Sequence, residues 1–160
     1  MLHSLRRKNI SSTECVDTIQ EVVYEYLKPL GFRKYGRTIH RFVDKDISQV
    51  INFQNGCPQK GVHDKLWINI GIRVPECEEK KFTISEPMKK YYHEYECNIR
   101  TRLGSLIDGE DTFYDLRKSP KTIAEDIIDR LKKYVIPVFD VLNSREAILL
   151  YRANYPSFDQ

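Results

Sequence analysis

The sequence contains no run of about 20 consecutive apolar residues, so no segment is suited to cross a bilayer as a helix. Arg6, Arg7 and Lys8 near its start are followed by no apolar stretch, which is not the layout of a secretory signal. No Cys-x-x-Cys or His-x-x-x-His pair occurs, whereas zinc sites normally contain at least one such short-range pair. Loops that brought Cys57, His63 and Cys77 together are the remaining route to a metal, and neither a metal nor another cofactor is expected. With no export signal, the four cysteines Cys15, Cys57, Cys77 and Cys97 read as reduced thiols of a cytoplasmic chain. Glycine is scarce at seven residues, and P-loop, dinucleotide and Gly-x-Ser-x-Gly patterns are all absent. These gaps remove the common phosphate-cradling and nucleophilic chemistries.

What remains is a globular composition. In 160 residues there are ten Tyr, seven Phe and one Trp, too many aromatics for a disordered chain, and the formal net charge is +3. A balance that mild supplies little long-range attraction for nucleic acid. The length suits a single domain over residues 1–160, with 1–11 as an N-terminal tail.

Apolar periodicity divides the chain. Cys15, Ile19, Val22, Val23, Tyr26, Leu27 and Leu30 share one helical stripe, Ser11 and Glu14 fit a capping box, and Pro29 and Gly31 mark the exit, predicting a helix over 12–30. The spacing then predicts strands at 37–44, 49–54 and 66–74. The third is the clearest, with Leu66, Ile68, Ile70, Ile72 and Val74 on one face. A charged excursion over 76–90 precedes an expected fourth strand from about 92 to 106. Ser119-Pro120 starts a long helix that Pro137 should kink, and Asn143-Ser144 caps a last short one.

The order helix, four strands, helix, helix predicts an α+β fold: a single, mostly antiparallel four-stranded sheet with helices packed on one face. Strand parity then places Asn52, Gln54, Trp67, Asn69, Arg73, Asn98, Arg100 and Arg102 on the other face, with His40 beside them. Lysine, an ordinary choice for exposed strand positions, is missing from this set. Arginine, carboxamide and indole groups make directional bonds and stacking contacts, and Arg and Trp are enriched at binding hot spots. The same residues would also suit a hydrogen-bonded ladder, or a face lying beneath the 76–90 and 107–118 segments.

Leu30-Gly31-Phe32, Gly36-Arg37-Thr38, Gln49-Val50-Ile51-Asn52-Phe53-Gln54, Asn69-Ile70-Gly71 and Cys97-Asn98-Ile99-Arg100-Thr101-Arg102-Leu103-Gly104 occur in an order and spacing that resembles the bacterial domain of unknown function 4304 family. Ile39 stands where that family usually has an aromatic, and Phe113-Tyr114 where tryptophans are common. The resemblance implies the α+β fold and gives weight to the polar sheet face. It implies no activity.

A general acid–base pair built from His40, or from Glu96 beside Arg100, is conceivable, but a structural ion pair explains the same residues. An enzyme is therefore not the favoured class. Elimination favours a protein-binding module of immunity or regulatory type that uses the polar face. RNA or a small anionic ligand on the same face is the alternative, weakened by the single aromatic placed there, Trp67. No membrane association is expected.

Overall fold

In a computed structural model, the chain is described over residues 11–56, 64–75 and 87–154. Helix α1 spans Ser12–Leu27, and its start follows from the Ser11 hydroxyl, which accepts the Glu14 backbone N–H at 3.2 Å. A 3₁₀ turn at Lys28–Leu30 and Gly31, at φ 93°, end it. Its buried stripe runs through Cys15, Val16, Ile19, Val23 and Leu27, whereas Val22 and Leu30, expected inside, are exposed.

Six strands form the sheet: β1 (Arg33–Tyr35), β2 (Thr38–Val43), β3 (Ile47–Asn55), β4 (Lys65–Arg73), β5 (Ile99–Arg102) and β6 (Tyr114–Asp115). All pairings are antiparallel in the order β1-β2-β3-β4-β5, with β6 pairing farther along β4. The α+β class and the antiparallel sheet are as expected, but the count of four strands is corrected. β1 and β6 are too short to carry a periodic signal. The expected strand over 92–106 is only four residues long. Its alternation of Cys97, Ile99, Thr101 and Leu103 is an accident of three environments: a covering segment, a strand and the first turn of α2 (Leu103–Asp108).

Helix α3 (Pro120–Arg130) begins as expected with Ser119 as its cap and Pro120 in its first turn. The kink anticipated at Pro137 takes the form of a π turn over Leu131–Val135, in which the Ile136 N–H reaches the Leu131 carbonyl. Pro137 lacks an N–H for the carbonyl four residues back, and the wider turn relieves both that loss and the ring clash. Helices α4 (Ile136–Val141) and α5 (Arg145–Asn154) follow, the latter started by Ser144, whose hydroxyl accepts the Ala147 N–H.

The core lies between one face of the sheet and the helices. Ile39, Ile47, Ile51, Phe53, Leu66, Ile68, Ile70 and Ile72 meet the α1 stripe together with Ile123, Ile127, Leu131 and Phe139. Gln49 is fully buried on this face, yet satisfied: its amide donates to the Phe139 carbonyl at 2.7 Å and accepts from Arg41 at 2.8 Å. The turn between β2 and β3 puts Asp44 and Lys45 at positive φ, 44° and 72°, where side chains are disfavoured. Arg145 of α5 holds that turn, donating to the Asp44 carbonyl at 2.9 Å and pairing with Asp46. The stretch through residue 10, expected as a tail, lies outside the described residues. No helix among the described residues is long and apolar enough to cross a membrane.

Candidate functional site

The second face of the sheet divides into two regions. Over its far part runs the segment 87–98, centred on a 3₁₀ turn at Glu94–Glu96. His93 opens that turn: its backbone N–H donates to the Glu96 carboxylate at 2.8 Å. Burial alone would raise the Glu96 carboxyl, but the Lys89 ammonium and the His93 N–H hold it below its ordinary range. Close approach of this segment requires a glycine beneath it. A Cβ on Gly71 would stand 2.7 Å from the Cys97 sulfur and 2.9 Å from its Cβ. Two stretches that carried the resemblance, Asn69-Ile70-Gly71 and the one beginning at Cys97, therefore meet as a packing pair. Burial pushes the Cys97 thiol up, well above its ordinary range, which favours its protonated form, and the sulfur donates to the His93 carbonyl at 3.6 Å.

Three of the sequence-predicted residues lie in this covered region. His40 is only 3% exposed, ringed by Phe42, Tyr35 and Tyr91 at 5.1, 5.4 and 6.2 Å, and neither of its nitrogens has a hydrogen-bond partner among the described residues. Desolvation lowers its pKa, so at neutral pH it is uncharged. Arg73 is also buried, with its guanidinium 3.7 Å from the Tyr92 ring centroid. Asn98 accepts the Val74 backbone N–H at 2.8 Å, which ties the covering segment to the end of β4. All three are buried beneath the covering segment or bonded to its neighbourhood.

The other six gather in the near part, where Gln54 and Arg100 are exposed. Asn69, on β4, is buried and bridges its neighbours, its side-chain amide donating to Asn52 Oδ1 at 3.1 Å and to Gln54 Oε1 at 3.0 Å. The β3–β4 register that puts Asn52 opposite Asn69 and Gln54 opposite Trp67 builds this carboxamide row. Arg100 forms a two-pronged pair with Glu94 at 2.8 and 3.1 Å. Arg102 reaches Asp111 at 2.5 Å and lies 5.0 Å from the Trp67 ring. Gln54, Asn69, Glu94, Arg100, Thr101 and Arg102 line a depression of about 220 Å³.

Sequence reading missed three contributors here. Glu94 was hidden by placing residues 92–98 in a strand, and it is Glu94, not Glu96, that partners Arg100. Phe113 lies tilted against Trp67, with ring centroids 5.8 Å apart and the Lys65 ammonium 4.4 Å from its own ring. Asp111 enters because the loop after α2 turns back onto Gly104, where a Cβ would stand 2.1 Å from the Thr112 hydroxyl. The Asp-Gly-Glu-Asp run at 108–111 signalled that turn but not its destination.

No catalytic constellation accompanies this geometry among the described residues. His40 is sealed away from Arg100, and Glu96 is spent on Lys89 and the His93 backbone. The metal combination Cys57, His63 and Cys77 lies outside the described residues. A second cavity, about 400 Å³, lies between α2 and α3 against Ile68, Leu103, Tyr114 and Arg130. Two of the polar groups on its wall are committed: the Tyr114 hydroxyl donates to Asp126 at 2.7 Å, and Asp126 pairs with Arg130 at 2.9 Å. Burial, reinforced by that carboxylate, raises the Tyr114 phenol far above its ordinary value.

No curated protein and no solved structure matches the chain. A family model described as domain of unknown function (DUF4304) matches residues 23–141. That stretch runs from within α1 to the end of α4 and takes in both halves of the polar face, so the chain belongs to the DUF4304 family.

Proposed function

We propose that the protein is a non-enzymatic binding module, of the immunity or regulatory kind, that engages a protein partner through the near half of its polar sheet face. The observation that carries this reading is the charge balance of that surface. Each of its two arginines already has a carboxylate, Glu94 for Arg100 and Asp111 for Arg102, and carboxamides fill the space beside them. A polyanion would meet those two acids as well as the arginines, whereas a protein surface of mixed polarity can match donors and acceptors one for one. Trp67 and Phe113 add a half-open aromatic pair of the type that anchors protein interfaces.

The second reading, an RNA or anionic ligand, gains one observation: Phe113 supplies a second aromatic next to Trp67, so two bases could stack. The two readings separate by capture. Wild-type protein should retain a partner protein that survives nuclease treatment and raised salt, and the double variant Trp67→Ala, Arg102→Ala should lose it while still folding. Nuclease-sensitive capture would instead support the second reading.

A further inference from the structure

Arg100 and Arg102 differ in how firmly their acids hold them. Glu94 is fixed in the 3₁₀ turn with its side chain 12% exposed, and it takes Arg100 through two bonds. Asp111 sits on the loop after α2 with its side chain 57% exposed, and it touches Arg102 through one guanidinium nitrogen. An exposed pair of that kind contributes about 0–1 kcal/mol, so replacing its acid costs little. The arginine, by contrast, is held in place without Asp111. Its other nitrogen faces Gln54 at 3.5 Å, Gln54 is bridged to Asn69, and the Trp67 ring supports its plane.

Resting on the protein-binding reading, we propose that Asp111 is an internal stand-in for the partner: the partner's surface presents a glutamate or aspartate carboxylate that displaces Asp111 from Arg102 while apolar groups beside it cover Trp67 and Phe113. Exchange of one carboxylate for another keeps the local charge balance, which a chain of phosphates would not. The displaced Asp111 moves to solvent with the exposed loop that carries it.

The chain's single tryptophan is Trp67, so its fluorescence reports on this spot alone. Titration with tri-glutamate, tri-glutamine and oligouridylate should show weak perturbation by tri-glutamate only. Asp111→Asn and Asp111→Ser, which remove the internal competitor, should each bind tri-glutamate about three- to fivefold more tightly, the range an exposed pair allows. Arg102→Ala should abolish the response. Equal affinity in wild type and both Asp111 variants, no response in any of the three, or a stronger response to oligouridylate than to tri-glutamate would overturn the proposal. A Trp67 response to tri-glutamine that Asp111 variants leave unchanged would overturn it while leaving the protein-binding reading intact. Loss of face-dependent partner capture would remove that broader reading whatever the peptides do.

Discussion

The two halves of the polar sheet face come from the same strands and read alike in sequence, but they meet opposite fates. At the far end, His40 and Arg73 are sealed under Tyr91 and Tyr92, and Gly71 lies in contact with Cys97. At the near end, Arg100 is exposed and Arg102 and Trp67 are only partly buried. What separates them is a dozen residues that return over the sheet before β5 begins. The comparison teaches that polar strand positions announce a face but not its surroundings: covered, they are packed and bonded to the segment above, and uncovered, they pair with one another at the surface.

The sharpest way to break the distinction is to force the cover off. Gly71→Val places side-chain atoms where the Cys97 sulfur now sits, and overpacking of that kind should cost about 2–3 kcal/mol in a denaturant titration. The same variant should make Cys97 react with a thiol reagent, as identified by peptide mass spectrometry, while Cys97 of the parent protein stays unreactive. Unchanged stability would mean that the covering segment is not packed on Gly71.

A smaller effect should come from His40. Because burial lowers its pKa below the ordinary imidazole value, the unfolded chain takes up a proton on acidification before the folded one does. Stability should therefore fall as pH drops below about 6.5 and stop responding to this group once pH passes its folded-state value. His40→Phe keeps an aromatic ring among Tyr35, Phe42 and Tyr91 and removes two buried nitrogens that have no partner among the described residues, so it should gain about 1 kcal/mol and flatten the profile in that window. Glu96 acts separately: its depressed pKa gives stability that is present above the ordinary carboxylate range and lost below it, and His40→Phe should leave that acid limb in place.

The smallest change in stability belongs to the open half. Arg102→Ala removes one exposed ion pair and should alter the unfolding free energy by no more than about 1 kcal/mol. A much larger loss would place Arg102 with the covered residues as a structural group.

Much of this was legible in the sequence because the signals were local. The four alternating aliphatics of β4, the Ser11 and Ser119 caps and the proline in α3 are all decided by neighbours a few residues away, and the fold class follows from their order. The division of the polar face was not legible, because it depends on a segment crossing the sheet from outside it. Residues 91–98 have no period of their own, and their alternation merged with that of β5. In β2 alternation is lost for a related reason: Ile39 faces the helical core, Thr38 and His40 lie on the opposite face, and all three are buried, so apolar and polar positions do not alternate. Phe113 and Asp111 reach the site through a loop whose path is set by Gly104, a tertiary contact that turn chemistry cannot specify.

The covered and open halves can be told apart most directly by hydroxyl-radical footprinting of the native protein with residue-level mass spectrometry. The account predicts rapid oxidation of Trp67 and Phe113 and strong protection of Tyr92 and Cys97, which are 5% and 7% exposed. Oxidation of Tyr92 and Cys97 at rates equal to that of Trp67, or protection of Trp67 and Phe113 in the isolated chain, would contradict it.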